Sequence, residues 1–465
     1  SNLLLCTLPV FLPLDTCFSQ ELKYERKTNV IYILADDLGI GDLGCYGQKY
    51  IKTPAIDSLA AKGMLFAQHY SGSTVSAPSR CSLMTGKHTG HAYIRGNKGV
   101  KSADGDTYDF PLADKEITVG EIMRQNGYAT ACIGKWGMGG PGSEGHPNKQ
   151  GFDYFFGYLG QANAHRYFPD FLYENEEKLH LNKKLYSHDL IMDKALAFID
   201  KNSDKPFFLY LSPTIPHADI ILPDNSADEY EGMFDERPHI GTHYVSQAKP
   251  KATYAAMVTR LDRGVQQIVN MLRTKGILDN TIIIFTSDNG THTEGGHTPE
   301  NLNSNGPFRG MKRDLYEGGI RTPFIVQWPE KIASGSVSFH VSAFWDFLPT
   351  MCDLVGSPVP VDVDGISFLP ELTKRGEQPQ HDFLYWEFHE RKGKQAILKN
   401  NWKLIRLKAD IPEESYYELY NLSADPSEQM NVALQCEDKL KELQILLDKS
   451  HTKSDIYPFA YELLE

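Results

Sequence analysis

Two runs of residues limit the folds open to this chain. Asn29–Ala35 (NVIYILA) and Thr281–Thr286 (TIIIFT) are near-continuous apolar stretches of strand length, rich in β-branched side chains. A strand that is apolar on both faces must be covered on both faces, as in the middle of a parallel sheet. Further strands are predicted at Ala129–Gly134, Phe207–Leu211 and Phe324–Trp328, with helices at Pro54–Lys62, Thr118–Gln125 and Ala252–Thr274. Strands alternating with helices imply an α/β fold, a large and mostly parallel sheet with helices on both faces. Ligand sites in such sheets lie beyond the carboxyl ends of the strands. The polar motifs of this chain follow strands: Asp36-Asp37 closes the first run and Asp288-Asn289 the second.

The pattern changes after about Asp364. Short β-like runs follow at 383–388, 395–399, 402–408 and 416–422, and a helical pattern at 436–450. This reads as a smaller C-terminal α+β subdomain, an antiparallel sheet with one helix, over residues 365–465. The α/β domain is placed at 25–364. Residues 3–12 are apolar but short, too short to span a bilayer. With Cys17-Phe18-Ser19 as a passable cleavage site, residues 1–19 read as a signal segment, and the protein is expected to be periplasmic or secreted. Lipid attachment at Cys17 fits the pattern less well. No other segment is apolar enough to be a membrane span.

The formal net charge is −13 over 465 residues, with no basic stripe, which argues against nucleic acid as a partner. Seven cysteines are scattered without a Cys-x-x-Cys pair, so neither a zinc ribbon nor a disulfide scaffold is indicated.

Ser76 to Gly86 (SAPSRCSLMTG) carries Ser-x-Pro-x-Arg and then Thr-Gly. Pro78 suits the first turn of a helix. Ser76 then sits near a helix N-terminus, where free N–H groups favour an anion, and Arg80 lies one turn on, on the same face. An ordinary capped helix with a surface arginine has the same pattern. Three carboxylates and an amide, from Asp36, Asp37, Asp288 and Asn289, make an all-oxygen donor set if their strands are neighbours. Such a set suits Ca²⁺ or Mg²⁺ rather than zinc. Each pair alone could equally be a turn or a helix cap.

The Ser76, Pro78, Arg80, Thr85 and Gly86 pattern resembles the signature of the formylglycine-dependent sulfatases of the alkaline phosphatase superfamily. In that family the first residue, Cys or Ser, is oxidised to formylglycine. The resemblance extends over roughly residues 28–435 and implies a sulfuric ester hydrolase. It assigns Asp36, Asp37, Asp288, Asn289 and the oxygen of modified Ser76 to one Ca²⁺. It makes Lys135, in Gly134-Lys135-Trp136, a bridge between aldehyde and sulfate. His217, in SPTIPH, becomes the group that meets the ester oxygen, and Lys312 a second sulfate-binding lysine. A serine start implies maturation by an anaerobic-type sulfatase-maturating enzyme.

One position departs from the family pattern. Gly137 stands where a histidine is expected after Lys135-Trp136, and His88, His91 and His165 are candidates to supply the missing polar contact. His88, His91, Arg95, Asn163, His165, His292, His297, Glu387 and His389 are candidates to bind the organic part of the substrate. As a set they suggest a polar pocket and a sulfated carbohydrate, with galactose-type sugars preferred. The rival readings are a phosphatase or phosphodiesterase of the same superfamily, and a catalytically silent binder of sulfated glycans.

Overall fold

The computed structural model describes residues 26–463 apart from 103–104 and 224–225. The expected signal segment, 1–19, lies outside the described residues. The main sheet has ten strands: β1 Asn29–Ala35, β2 Met64–Phe66, β3 Ala129–Lys135, β4 Tyr154–Tyr158, β5 Phe171–Glu174, β6 Glu177–His180, β7 Phe207–Ser212, β8 Thr281–Ser287, β9 Phe324–Gln327 and β10 Ser336–Ser338. Their spatial order is β10-β2-β9-β8-β1-β7-β3-β4-β5-β6.

The five strands β8-β1-β7-β3-β4 run parallel. β9 on one side and β5 on the other run antiparallel to this core, and β2, β10 and β6 beyond them run with it again. The sheet is therefore mostly parallel, as the apolar runs imply, with two strands reversed to make it mixed. Parallel neighbours need long crossovers, whereas a short connection permits only an antiparallel partner. β5 and β6 are joined by the two residues Asn175 and Glu176, with Asn175 in the left-handed region at φ +53°.

The helices that bear on the site and its supports are α1 Pro54–Ala61, α2 Ser76–Thr85, α3 Val119–Gln125, α4 Gln161–Ala164, α5 Ser187–Lys201, α6 Pro250–Thr274, α7 Phe347–Val355 and α8 Glu437–Lys449. Every residue of β1 and of β8 is buried. Side chains alternate across a strand, so each strand feeds two cores. Ile31, Ile33, Ile283 and Phe285 pack with α1, α5 and α6. Tyr32, Leu34, Ile282 and Ile284 pack with α2, α3 and α7. α3 begins at a capping box in which Thr118 accepts from the Glu121 N–H while Glu121 accepts from the Thr118 N–H.

Past residue 365 the chain forms a separate antiparallel sheet, β11 Leu384–Phe388, β12 Lys394–Lys399, β13 Trp402–Leu407 and β14 Tyr416–Asn421, paired in chain order. α8 covers one face through Leu443 and Leu447. The other face, with Trp386, Leu398 and Ile405, packs on Tyr70, Leu315 and Trp345 of the main domain. The joint also buries charge: Lys403 lies 2.9 Å from both Glu317 and Glu428.

The chain after α8 turns back onto this joint. His451 Nδ1 donates to Glu387 at 2.6 Å and Nε2 donates to Glu462 at 3.0 Å. A carboxylate at each ring nitrogen favours the charged imidazolium. Burial works against that charge, but Glu387 and Glu462 outweigh it and hold the ring above the ordinary histidine range. A raised folded pKa gives stability that is complete below the unfolded value and is lost as pH rises through the folded one. The melting temperature of the native protein should therefore exceed that of His451→Gln at pH 6, and the gap should close toward pH 9. A gap independent of pH in calorimetry would show that the ring contributes only by packing.

Candidate active site

The site forms where β1, β8, β3 and β7 end together. β1 and β8 are adjacent and in register, with Ala35 opposite Ser287, so the pairs Asp36-Asp37 and Asp288-Asn289 emerge side by side. The Asp37 N–H donates to Asp288 Oδ1 at 3.1 Å, and Asn289 Nδ2 donates to Asp37 Oδ1 at 2.7 Å. All four residues are buried. Asp37 has φ +62°, an uncommon conformation for a residue with a side chain and one that gathers at functional sites.

Ser76 is the first residue of α2, and its preceding residue Val75 offers no side-chain cap. The Ser76 hydroxyl donates to Asp36 Oδ1 at 3.2 Å and accepts from Lys135 Nζ at 3.1 Å. Lys135, the last residue of β3, also donates to Asp36 Oδ2 at 2.7 Å. Arg80 is fully buried one turn along α2. Its Nε and Nη2 donate to Asp288 Oδ2 at 3.2 and 2.8 Å, and its Nη1 donates to the Lys135 carbonyl at 2.8 Å.

His217 and Lys312 close the far side. Lys312 Nζ donates to Asp37 Oδ2 at 2.8 Å, to His217 Nε2 at 3.1 Å and to Glu294 Oε2 at 3.3 Å. His217 Nδ1 donates to the Ala218 carbonyl. That leaves Nε2 as an acceptor, the neutral tautomer. Burial, Lys312 and His165 together push the imidazole well below its ordinary range. Burial works to raise Asp37, but Lys312 and His292 outweigh it and hold the carboxyl below the usual range. Lys312 is raised because Asp37 and Glu294 more than offset its burial.

The nine expected substrate-contact residues separate into two groups. His165 and His292 lie beside His217, with Asn163 and His297 on the same two stretches of chain. His165 stacks on His217 with centroids 4.5 Å apart. His292 packs beside His217 and meets the Pro216 carbonyl, His297 stacks on Tyr254, and Asn163 donates to the Phe171 carbonyl. The second group is used internally, which corrects the expectation of substrate contact. His88 and His91 stack on each other beside Asp364, beyond the C-terminal end of α2. A ten-residue helix separates them from Ser76 by roughly 15 Å, so neither can replace a side chain missing at Gly137. Glu387 is fully buried and accepts from Tyr385, His389 and His451, while Arg95 donates to Ala92 and Thr452. These contacts lock the C-terminal sheet to the main domain.

Sequence reading passed over Glu294, Tyr244 and Gln161. Glu294 pairs with Arg313 at 2.8 Å and accepts from the Tyr244 hydroxyl at 3.1 Å. It lies in the same THTEGGH run as His292, and the histidines drew attention from it. Tyr244, in the loop before α6, has no local signal at all.

A divalent cation is the group this arrangement implies. Asn289 Oδ1 is buried and has no protein partner among the described residues. The same amide bonds Asp37, which with Asp36, Asp288 and this oxygen makes an all-oxygen donor set that fits a hard cation. The donor atoms of Asp36, Asp37 and His217 lie within 4.8 Å of one another.

Residues 28–357 match the sulfatase family, and residues 309–454 match the family described as N-sulphoglucosamine sulphohydrolase, C-terminal. The chain is 29% identical to N-acetylgalactosamine-6-O-sulfatase of Bacteroides thetaiotaomicron, over 92% of this chain and 94% of that protein. It is 30% identical to human N-acetylgalactosamine-6-sulfatase, over 77% of this chain and 68% of that one. The crystal structure of Ps i-CgsB in complex with k-i-k-neocarrahexaose superposes with a TM-score of 0.77 at 30% identity, covering 91% of this chain and 92% of the other. Phosphonate monoester hydrolase of Agrobacterium radiobacter, at 18% identity and a TM-score of 0.67, shares the fold alone. With a serine, an arginine, two lysines and an acidic cage gathered at the strand ends, this chain belongs to the formylglycine-dependent sulfatase family and is a sulfuric ester hydrolase.

Proposed function

We propose that this protein removes sulfate from a sulfated carbohydrate, with a galactose-type hexose or hexosamine as the preferred sugar. The observation that carries the reading is the convergence of Arg80, Lys135 and Lys312, all buried, on the Asp36–Asp37–Asp288 cage and Ser76. Three cations in one pocket of an acidic protein suit a bound anion. The N-acetylgalactosamine-6-sulfatases named above, and the neighbour in complex with k-i-k-neocarrahexaose, support the sugar class.

In this reading Asp36, Asp37, Asp288 and Asn289 hold Ca²⁺, which would withdraw charge from a sulfate oxygen. Oxidised to formylglycine by an anaerobic-type maturase, residue 76 would offer a hydrated aldehyde, a better and self-clearing nucleophile than a serine hydroxyl. The protein is exported to the periplasm or secreted. Lys135 and Arg80 place residue 76 and balance its charge. Lys312 and Lys135 receive the sulfate oxygens. His217 is the group that protonates the departing sugar oxygen: its Nε2 takes a proton from the Lys312 ammonium, whose N–H already points at it, and passes it to the oxygen, leaving Lys312 neutral until it is reprotonated. Glu294 keeps Lys312 charged and aimed.

The test uses protein co-produced with a serine-type maturase. It should release sulfate from a sulfated galactose or N-acetylgalactosamine and leave aryl phosphate largely intact. His217→Ala should lower kcat/KM on the sugar sulfate by about 10²–10⁴-fold. Its loss on 4-nitrophenyl sulfate should be much smaller, because nitrophenolate leaves without a proton. A preference for phosphate esters would overturn the proposed function. Equal losses on the two sulfates would remove His217 from its role and leave the function standing.

A further inference from the structure

The segment from Tyr158 to His165 runs across the site. β4 ends at Tyr158, in register with Lys135 of β3, and the Gly137 N–H donates to the Leu159 carbonyl at 3.1 Å. α4 therefore begins beside Gly137, two residues along from the lysine that touches Ser76. Gly137 has φ +77°, where a residue with a side chain is strained. A Cβ placed on it would lie 3.4 Å from Gln161 Nε2 and 3.6 Å from Gln161 Cγ. The Gln161 side chain thus covers the ground that a side chain at 137 would enter. At the other end of the segment, His165 stacks on His217. The span from Gln161 to His165 reaches from the Lys135 side of the site to the His217 side.

Gln161 is half-buried and held from two directions. Its Nε2 donates to Asn97 Oδ1 at 3.3 Å, and its backbone N–H donates to Asp109 Oδ2 at 2.8 Å. Asp109 belongs to the same neighbourhood: burial pushes its carboxyl up to about 7, against the pull of the Gln161 N–H, Lys135 and Arg80. The Gln161 Oε1 accepts no protein hydrogen bond among the described residues. A carboxamide that is anchored through one N–H keeps a second N–H and a carbonyl to offer, the pair that suits a sugar hydroxyl or an acetamido group.

We propose that Gln161, backed by Asn97 and Asp109, is a specificity-determining residue that hydrogen-bonds a ring hydroxyl or acetamido group of the sugar carrying the sulfate. The inference rests on the carbohydrate reading above. A site built to pair a polar group loses most when that group goes unpaired. Gln161→Ala should therefore cost roughly tenfold in kcat/KM on the sugar sulfate and less than about twofold on 4-nitrophenyl sulfate, which lacks the group. Asn97→Ala should show a smaller loss with the same bias, and serves as the second variant if Gln161→Ala does not fold by thermal melt.

Deoxy and deacetylated analogues of the sugar sulfate complete the test. The analogue on which Gln161→Ala costs nothing beyond native identifies the group that is bound. Losses equal on sugar and aryl sulfate, or no loss on the sugar, overturn the role of Gln161 while the function stands. Native protein that releases sulfate from aryl sulfate but from no sugar overturns the carbohydrate reading and this inference with it.

Discussion

Ser76→Ala is expected to abolish sulfate-ester hydrolysis, with a loss on the order of 10⁵-fold or more, the scale seen when a covalent nucleophile is removed. The fold should survive. Ser76 Oγ makes two hydrogen bonds, to Asp36 and from Lys135, and Lys135 keeps its 2.7 Å contact with Asp36 without it. The stability change should stay near 1 kcal/mol, the net worth of a hydrogen bond. The same residue carries the modification test. In active material, the peptide containing Ser76 should be two hydrogens lighter than its sequence mass, because an aldehyde has replaced an alcohol. Protein made without a maturase should keep the sequence mass and resemble Ser76→Ala in rate. Full activity from unmodified Ser76 would overturn the formylglycine assignment. Activity surviving in Ser76→Ala would move the nucleophile elsewhere.

The second large effect is at Asp288, which carries two loads. It is a donor in the proposed metal cage, and it is the close partner of Arg80, fully buried with two nitrogens on one carboxylate oxygen. Removing one partner of a buried pair leaves an uncompensated charge, worth roughly 3–5 kcal/mol. Asp36, 3.8 Å from the guanidinium, offsets part of this. Asp288→Ala should therefore lose both melting temperature and activity, and Asp288→Asn should keep more of the fold than of the rate. Calcium content of the purified proteins separates the two loads. Native protein should hold one ion per chain and melt lower with chelator, as expected when a ligand binds only the folded state. Asp288→Asn should hold less calcium and respond less to chelator. A stoichiometric calcium ion in Asp288→Asn would take this residue out of the cage.

Much of this architecture was legible before any coordinates. β1 and β8 announce themselves because a strand buried on both faces leaves no polar position in its run. The acidic pairs at their ends are legible for the same reason, since a chain leaving such a sheet exposes its first polar residues at the carboxyl edge. Ser76, Pro78 and Arg80 sit within five residues, so their shared helix face follows from helical geometry alone. The reversal of β9 and β5 was not legible. Val326 and Leu172 fit a parallel or an antiparallel ladder equally well, and strand direction is set by the connections.

Glu387 shows where residue type misleads. A glutamate in YWEFHE reads as a ligand for a sugar, yet its β11 position turns it inward toward His389 and His451, the latter 64 residues away in sequence. Only the packing of the C-terminal sheet decides that. The sequence by itself determined the local chemistry: the helix that presents Ser76, the strand ends that present the aspartates, and the family to which those motifs belong. Tertiary structure decided which distant groups share that chemistry. Gln161 covers Gly137, Glu294 and His217 meet at Lys312, and His88 and His91 fall on the wrong end of α2. These pairings depend on loops whose course is fixed by burial and by hydrogen bonds between remote segments, and no short-range pattern encodes them.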